Sequence, residues 1–249
     1  MGKVVDINVE ASGIGYLKMN DVEGKNIFSE RFVEDFLWAL EKLENELKPR
    51  AVILHGFETI FCGGGEKQTL LDLTEGKIEM RDLILSERVV NAPYPLIAAM
   101  EGHAMGGGLV LGLCCDIVIA ARESRYGAVF MSMGFTPGMG CTIFLPELVG
   151  PFIANEMMFT GKRFRGSELE EKGTHINYIL PRKEVMRKAR GIALQICEMN
   201  VKSVYLLKYV LSAKKKKLLI DARLQEDLMH SISFRYPETK DIINERYVE

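Results

Sequence analysis

Apolar and polar positions along the chain follow two periods, one of strands and one of helices. Val4–Val9 and Ile14–Met19 read as two strands joined by the turn residues Ser12-Gly13. Ser29 stands where a helix cap is expected. Phe32, Val33, Phe36, Leu37, Leu40, Leu43 and Leu47 then mark one apolar face at helical spacing, ended by Pro49. Ala51–Leu54 is a wholly apolar run, which predicts a buried strand. Ile60-Phe61-Cys62 predicts a shorter one after Gly56. The segment Lys67–Glu79 is more polar and carries Gly76, which predicts a mobile stretch. Further on, the pattern predicts a helix over Leu83–Val90, a strand over Leu96–Met100, a helix over Gly107–Leu113 and a strand over Ile117–Ala120. Strand, helix, strand at this spacing implies parallel pairing and an α/β core. A turn over Phe135–Gly140 precedes helices near Ile143–Leu148 and Ile153–Thr160, and Ile176–Leu180 is the last strand. From Arg182 onward the pattern is helical throughout. That change near Pro181 divides a core over 1–181 from a helical region over 182–249.

The stretch Ile97–Asp116 organises this pattern. A strand leads through Glu101-Gly102-His103 to Gly106-Gly107-Gly108, where a helix begins. Glycine admits close backbone approach. A helix start leaves N–H groups unpaired and partly positive. A second triple glycine, Gly63-Gly64-Gly65, also stands at a strand end before a helical segment. The two turns serve either tight packing or two backbone donors that converge on one ligand oxygen, which suits a thioester carbonyl becoming an enolate. A phosphate cradle of the form GxxxxGK[ST] is absent.

Composition narrows the class. The chain has 249 residues, 47% hydrophobic and 27% charged, as expected for one large soluble domain or a domain with a helical appendage. A net charge of −2 gives no reason to expect a nucleic-acid partner. The five cysteines form no CxxC pair, which fits reduced thiols and a cytoplasmic location. No apolar run reaches membrane-spanning length, and the N-terminus lacks the apolar core of a signal peptide. No metal-ligand spacing is present either.

The motifs AVILHG, FCGGGE, PLIAAMEGHAMGGGLVLGLCCDIVIA and GFTPGMG together resemble the crotonase (enoyl-CoA hydratase/isomerase) superfamily, from about Val4 to Val248. The resemblance implies a spiral of ββα units with a helical C-terminal region that serves oligomerisation and pocket closure. It also implies trimers or dimers of trimers, and an oxyanion hole from the N–H groups of Gly65 and Gly107. A hydratase of this family carries glutamates at the positions held here by Val110 and Phe130. Adding water needs a positioned acid or base. Neither residue can move a proton, so an apolar wall is expected where the acids would be.

That combination looks like the second, decarboxylating crotonase of polyketide β-branching cassettes. The resemblance implies conversion of 3-methylglutaconyl-acyl carrier protein to the 3-methylcrotonyl form, with no cofactor beyond the phosphopantetheine arm (or CoA) of the substrate. LMHSISF places His230 at the subgroup's catalytic histidine, and a near-neutral pKa suits it to proton transfer. The subgroup's lysine near the substrate carboxylate falls on Glu79 by ungapped matching. Lys77, with the loop shifted, is the expected residue, and Arg81 the reserve.

Other readings stay open. His55 reads as a structural strand end, His103 as a turn residue that hydrogen-bonds the backbone, and His175 as a surface loop residue. Lys214–Lys217 is either a solvated helix start or a docking patch for an acidic carrier or its phosphate. Isomerisation or hydration on a CoA thioester would need a carboxyl group in the pocket, with Glu66 and Glu79 as candidates. A non-catalytic thioester binder is the remaining alternative.

Overall fold

β1 (Val5–Val9) and β2 (Ile14–Met19) pair antiparallel around the Ser12-Gly13 turn, where Gly13 takes φ +92. The computed structural model describes residues 3–78 and 84–247. After the short β3 (Ile27–Phe28), the Ser29 hydroxyl accepts the Phe32 N–H and caps α1 (Glu30–Lys42). The buried stripe of α1 is Phe32, Phe36, Ala39 and Leu40, as its periodicity predicts. A π turn over Leu43–Leu47 ends it.

From β4 onward one pattern repeats. β4 (Ala51–His55) leads to β5 (Ile60–Cys62), then β6 (Gly64–Gly65), α2 (Lys67–Thr74) and α3 (Ile84–Asn91). β7 (Leu96–Met100) leads to β8 (His103–Met105) and α4 (Gly107–Leu113). β9 (Ile117–Ala121) leads to β10 (Arg125–Gly127) and, after a longer loop, to α5 (Cys141–Val149) and α6 (Pro151–Thr160). β11 (Arg163–Arg165), α7 (Gly166–Glu171) and β12 (Tyr178–Leu180) complete the strands. α8 (Arg182–Glu198), α9 (Val201–Ser233) and α10 (Pro237–Arg246) follow. Each turn of the pattern puts its first strand in a six-stranded sheet ordered β1-β2-β4-β7-β9-β12. Its second strand joins a smaller sheet ordered β11-β10-β8-β5. This is the expected spiral of ββα units.

The apolar runs are continuous because the larger sheet is covered on both faces. Val52, Leu54, Leu96, Ala98, Val118 and Ala120 face the main core. The alternate residues Ile53, Ile97 and Ile119 face Val185, Ala189 and Ala193 of α8. The first helix beyond Pro181 is thus packed onto the strands. Among the described residues no helix is long and apolar enough to cross a membrane.

Two sequence expectations need correction. The polar stretch expected to be mobile over Lys67–Glu79 begins with helix α2 over Lys67–Thr74, the helical segment that the second triple glycine announces. Leu70 supplies its buried anchor and packs toward Gly65. His103 is not in a turn: it opens β8, and its Nδ1 accepts the Arg125 N–H at 2.9 Å. Glu79, Arg81 and the expected helix start at Leu83 lie outside the described residues.

Candidate active site

The two glycine turns meet backbone to backbone. A Cβ at Gly64 would lie 2.6 Å from the Met105 carbonyl oxygen and 3.4 Å from the Gly107 nitrogen. One at Gly108 would lie 2.3 Å from the Cys62 carbonyl oxygen. Side chains at these positions would hold the turns apart. Gly64 and Gly106 also take φ +91 and +51, which favour glycine. Gly107 begins α4, so its N–H is one of those that helix geometry leaves without an intrahelical partner.

Beside this junction is a cavity of about 350 Å³. Gly65, Gly106 and Gly107 line it together with Leu70, Val129, Phe130, Met133, Phe135, Met139 and His230. Among the described residues no carboxyl side chain lines it. Glu66 instead accepts the Thr69 hydroxyl at 2.6 Å. Three exposed cations, Lys25, Arg163 and Arg246, also line the cavity.

His230 enters from α9 and is 4% exposed. Its ring lies edge-on to Phe135 and Phe234, with centroids 6.4 and 5.5 Å away. Gly138 makes room for it: a Cβ there would lie 2.3 Å from the imidazole Cε1. Nε2 lies 2.8 Å from the Thr136 carbonyl oxygen, which can only accept, so Nε2 carries the proton. Nδ1 is buried without a hydrogen-bond partner. Burial holds the pKa below the ordinary histidine value, against smaller raising effects of the Thr136 carbonyl and Asp227.

Of the residues singled out in the sequence, Gly65, Gly107, Phe130 and His230 come together here. Val110 does not reach the cavity. It lies one helical turn beyond Gly107, fully buried in the main core. Lys77 does not line the cavity either. It sits just past α2 with its side chain 61% exposed, drawn outward by Glu75 and by Asp72 at 3.7 Å. Glu75 is itself held by Lys240 of α10 at 2.6 Å.

Sequence reasoning missed the residues that support the site. Lys215, inside the basic run, turns inward: its Nζ donates at 2.8, 2.9 and 2.7 Å to the carbonyls of Leu113, Cys114 and Cys115 at the end of α4. It thereby satisfies the carbonyls at the far end of the helix that presents Gly107. Lys208 pairs with Asp116 at 2.7 Å, and Asp116 also accepts the Leu96 N–H. Burial pushes the thiols of Cys62, which lines the cavity, and Cys114 up to about 12, away from the thiolate form.

Residues 9–249 match the family described as enoyl-CoA hydratase/isomerase. The chain is 38% identical over 244 residues to the bacillaene synthase decarboxylase PksI of Bacillus subtilis (strain 168), covering 98% of each protein. A solved structure from a dehydratase/decarboxylase enzyme couple involved in polyketide β-branching is 37% identical. It superposes with a TM-score of 0.95 over 99% of this chain and 100% of that one. The ECH2 decarboxylase domain of CurF from Lyngbya majuscula is 33% identical, with a TM-score of 0.93 over 99% of this chain and 100% of that one. With the matched glycine turns and the spiral fold in view, the chain belongs to the enoyl-CoA hydratase/isomerase family.

Proposed function

We propose that the chain is a decarboxylase of polyketide β-branching. In this reading it converts a 3-methylglutaconyl thioester on an acyl carrier protein to the 3-methylcrotonyl thioester and carbon dioxide. The observation that carries the reading is the lining of the cavity. Two glycine turns and a buried histidine stand among apolar walls, with no carboxyl side chain among the described residues. The relatives that share the whole chain and are named decarboxylases support the same chemistry.

The steps balance without a cofactor. The bond to the substrate carboxylate breaks and carbon dioxide leaves. The electron pair moves through the alkene onto the thioester oxygen. The N–H groups of Gly65 and Gly107 form the oxyanion hole that receives this charge, each donor worth about 2.7–4 kcal/mol of barrier. Phe130 and its apolar neighbours disfavour the charged carboxylate relative to neutral carbon dioxide. His230 returns a proton to carbon. The exposed Lys25, Arg163 and Arg246 suit the phosphate of the carrier's phosphopantetheine arm.

Lys77 is the proposed partner of the substrate carboxylate. To reach it, Lys77 exchanges Glu75 and Asp72 for the substrate. Such exposed pairs contribute little, so the exchange is inexpensive. Lys77→Ala should lower kcat/KM about tenfold, the effect of losing one charge-assisted contact. Lys77→Arg should recover part of it. Unchanged kinetics in Lys77→Ala would move the role to another cation.

The reaction is tested by incubating the protein with 3-methylglutaconyl-carrier and weighing the carrier-bound acyl group. A product lighter by carbon dioxide is expected. A product heavier by water would mark hydration, and an unchanged mass with retained binding would mark a thioester binder.

We also infer a homotrimer or hexamer. α9 leaves Leu206, Leu207, Val210, Leu224 and Leu228 exposed, and α6 leaves Phe152 and Phe159 exposed at 86% and 77%. Apolar surface of that extent is normally covered. Light scattering should return a mass three or six times the 28.1 kDa chain; a monomer would overturn the inference.

A further inference from the structure

α9 does more than carry His230. Glu226, His230 and Ser233 follow one another at spacings of four and three, which puts them on one helix face. All three grip the loop between Gly134 and α5. Glu226 is fully buried, a position a carboxylate holds only when donors surround it. Its Oε2 accepts the Gly140 N–H at 2.7 Å, and its Oε1 accepts the Thr142 N–H at 3.0 Å and the Thr142 hydroxyl at 2.6 Å. It therefore caps α5 from another helix, because Gly140 has no side chain with which to do so. At the other end, the Ser233 hydroxyl accepts the Thr136 N–H at 3.3 Å and lies 3.2 Å from the Thr136 hydroxyl.

The loop between these two grips needs them. Met139 takes φ +65, a left-handed conformation that a residue with a side chain holds only under outside restraint, and Gly140 takes φ +90. Within the loop, Thr136 has its N–H held by Ser233 and its carbonyl against His230 Nε2. The direction of that carbonyl decides which ring nitrogen is protonated.

We propose that Glu226 and Ser233 are positioning residues for His230. By fixing the 136–142 loop from one face of α9, they aim the Thr136 carbonyl at Nε2 and keep Nδ1 free for proton transfer. This rests on the decarboxylase reading only for what the proton is used for.

The test uses Glu226→Gln and Ser233→Ala in the full chain, the second guarding against misfolding of the first. In Glu226→Gln an amide NH₂ faces the Gly140 or Thr142 donors, and the loop must shift. In Ser233→Ala the Thr136 N–H loses its acceptor. The ¹⁵N imidazole spectrum of His230, assigned by its loss in His230→Gln, reads the tautomer without substrate. The unsubstituted protein should show the proton on Nε2. Both variants should show a mixture of tautomers, and kcat should fall roughly tenfold to a hundredfold with KM within about twofold, because an imidazolium no longer held through Nε2 presents Nδ1 out of line. A wild-type proton on Nδ1, or variant spectra and kcat equal to those of the unsubstituted protein, would overturn the proposal. Should decarboxylation itself be absent while the tautomer behaves as expected, the reaction assignment fails and the positioning role stands.

Discussion

His230→Gln should lower decarboxylation of the carrier-bound substrate by about a hundredfold or more while the protein stays folded. A positioned general acid is typically worth 10² to 10⁴ in rate, roughly 3–5 kcal/mol. Glutamine retains an N–H that can meet the Thr136 carbonyl, so the substitution removes the titrating ring and leaves that acceptor partnered. The same hydrogen bond fixes the sign of the pH dependence. With the Nε2 proton committed to Thr136, the neutral ring has nothing to give from Nδ1, and only the imidazolium can protonate carbon. Burial holds the pKa of His230 below 6.5, so the free enzyme is mostly neutral near pH 7. The rate constant kcat/KM should therefore rise as pH falls through about 6.5 and below. His230→Gln should abolish that slope along with the rate. Circular dichroism checks the fold, and mass spectrometry of the carrier-bound acyl group checks the chemistry. A variant that decarboxylates as fast as the parent, or a profile that rises with pH instead, would remove His230 from the proton step.

What the sequence disclosed depended on how long each signal was. β4 carries a run of four apolar residues and β7 and β9 runs of five, and they stand out from any polar neighbour. The bounds of α4 follow from Gly107 and from the change after Leu113. Apart from β5, the smaller sheet was illegible. β8, β10 and β11 have three residues each, begin or end on His or Arg, and are strands only because a neighbouring strand offers its backbone. The extent of α2 was hard to read because its polar surface outweighs one buried leucine, Leu70, whose anchoring role comes from contact with the cavity.

The site divides in the same way. Gly65, Gly107, Phe130 and His230 belong to local motifs, and the fold brings them together. Val110 shares the helix face of Gly107 but lies one turn deeper, inside the main core, and spacing from the triple glycine does not show how deep the cavity reaches. Lys215 and Glu226 act on carbonyls and N–H groups far away in the chain, so a run of lysines and one glutamate among many gave no sign of it. The spacing of Glu226, His230 and Ser233 on one helix face was visible, but such spacing acquires meaning only once the opposing loop is known.

Gly108→Ala should damage both stability and catalysis, and for one reason. A methyl group there would sit 2.3 Å from the Cys62 carbonyl oxygen, 2.7 Å from the carbonyl carbon and 2.8 Å from Cβ. The obstacle includes backbone, so no rotamer change relieves it; α4 and the strand β5 must separate. Overpacking of this kind costs about 1–3 kcal/mol, which for a chain of this size lowers Tm by roughly 2–12 °C. The activity loss should exceed what the lower stability explains. Gly65 follows β5 in the same glycine turn, and Gly107 precedes Gly108, so the separation moves one amide off the thioester oxygen that both reach in the proposed oxyanion hole. Losing one such donor corresponds to about 10² to 10³ in kcat. Gly191→Ala is the matched control: it lies within α8, a Cβ there meets nothing within 4 Å, and alanine favours the helix. Thermal melts and single-turnover decarboxylation on the two variants separate the effects. Normal turnover by folded Gly108→Ala, measured below its melting transition, would mean that the two glycine turns need not touch for the reaction to proceed.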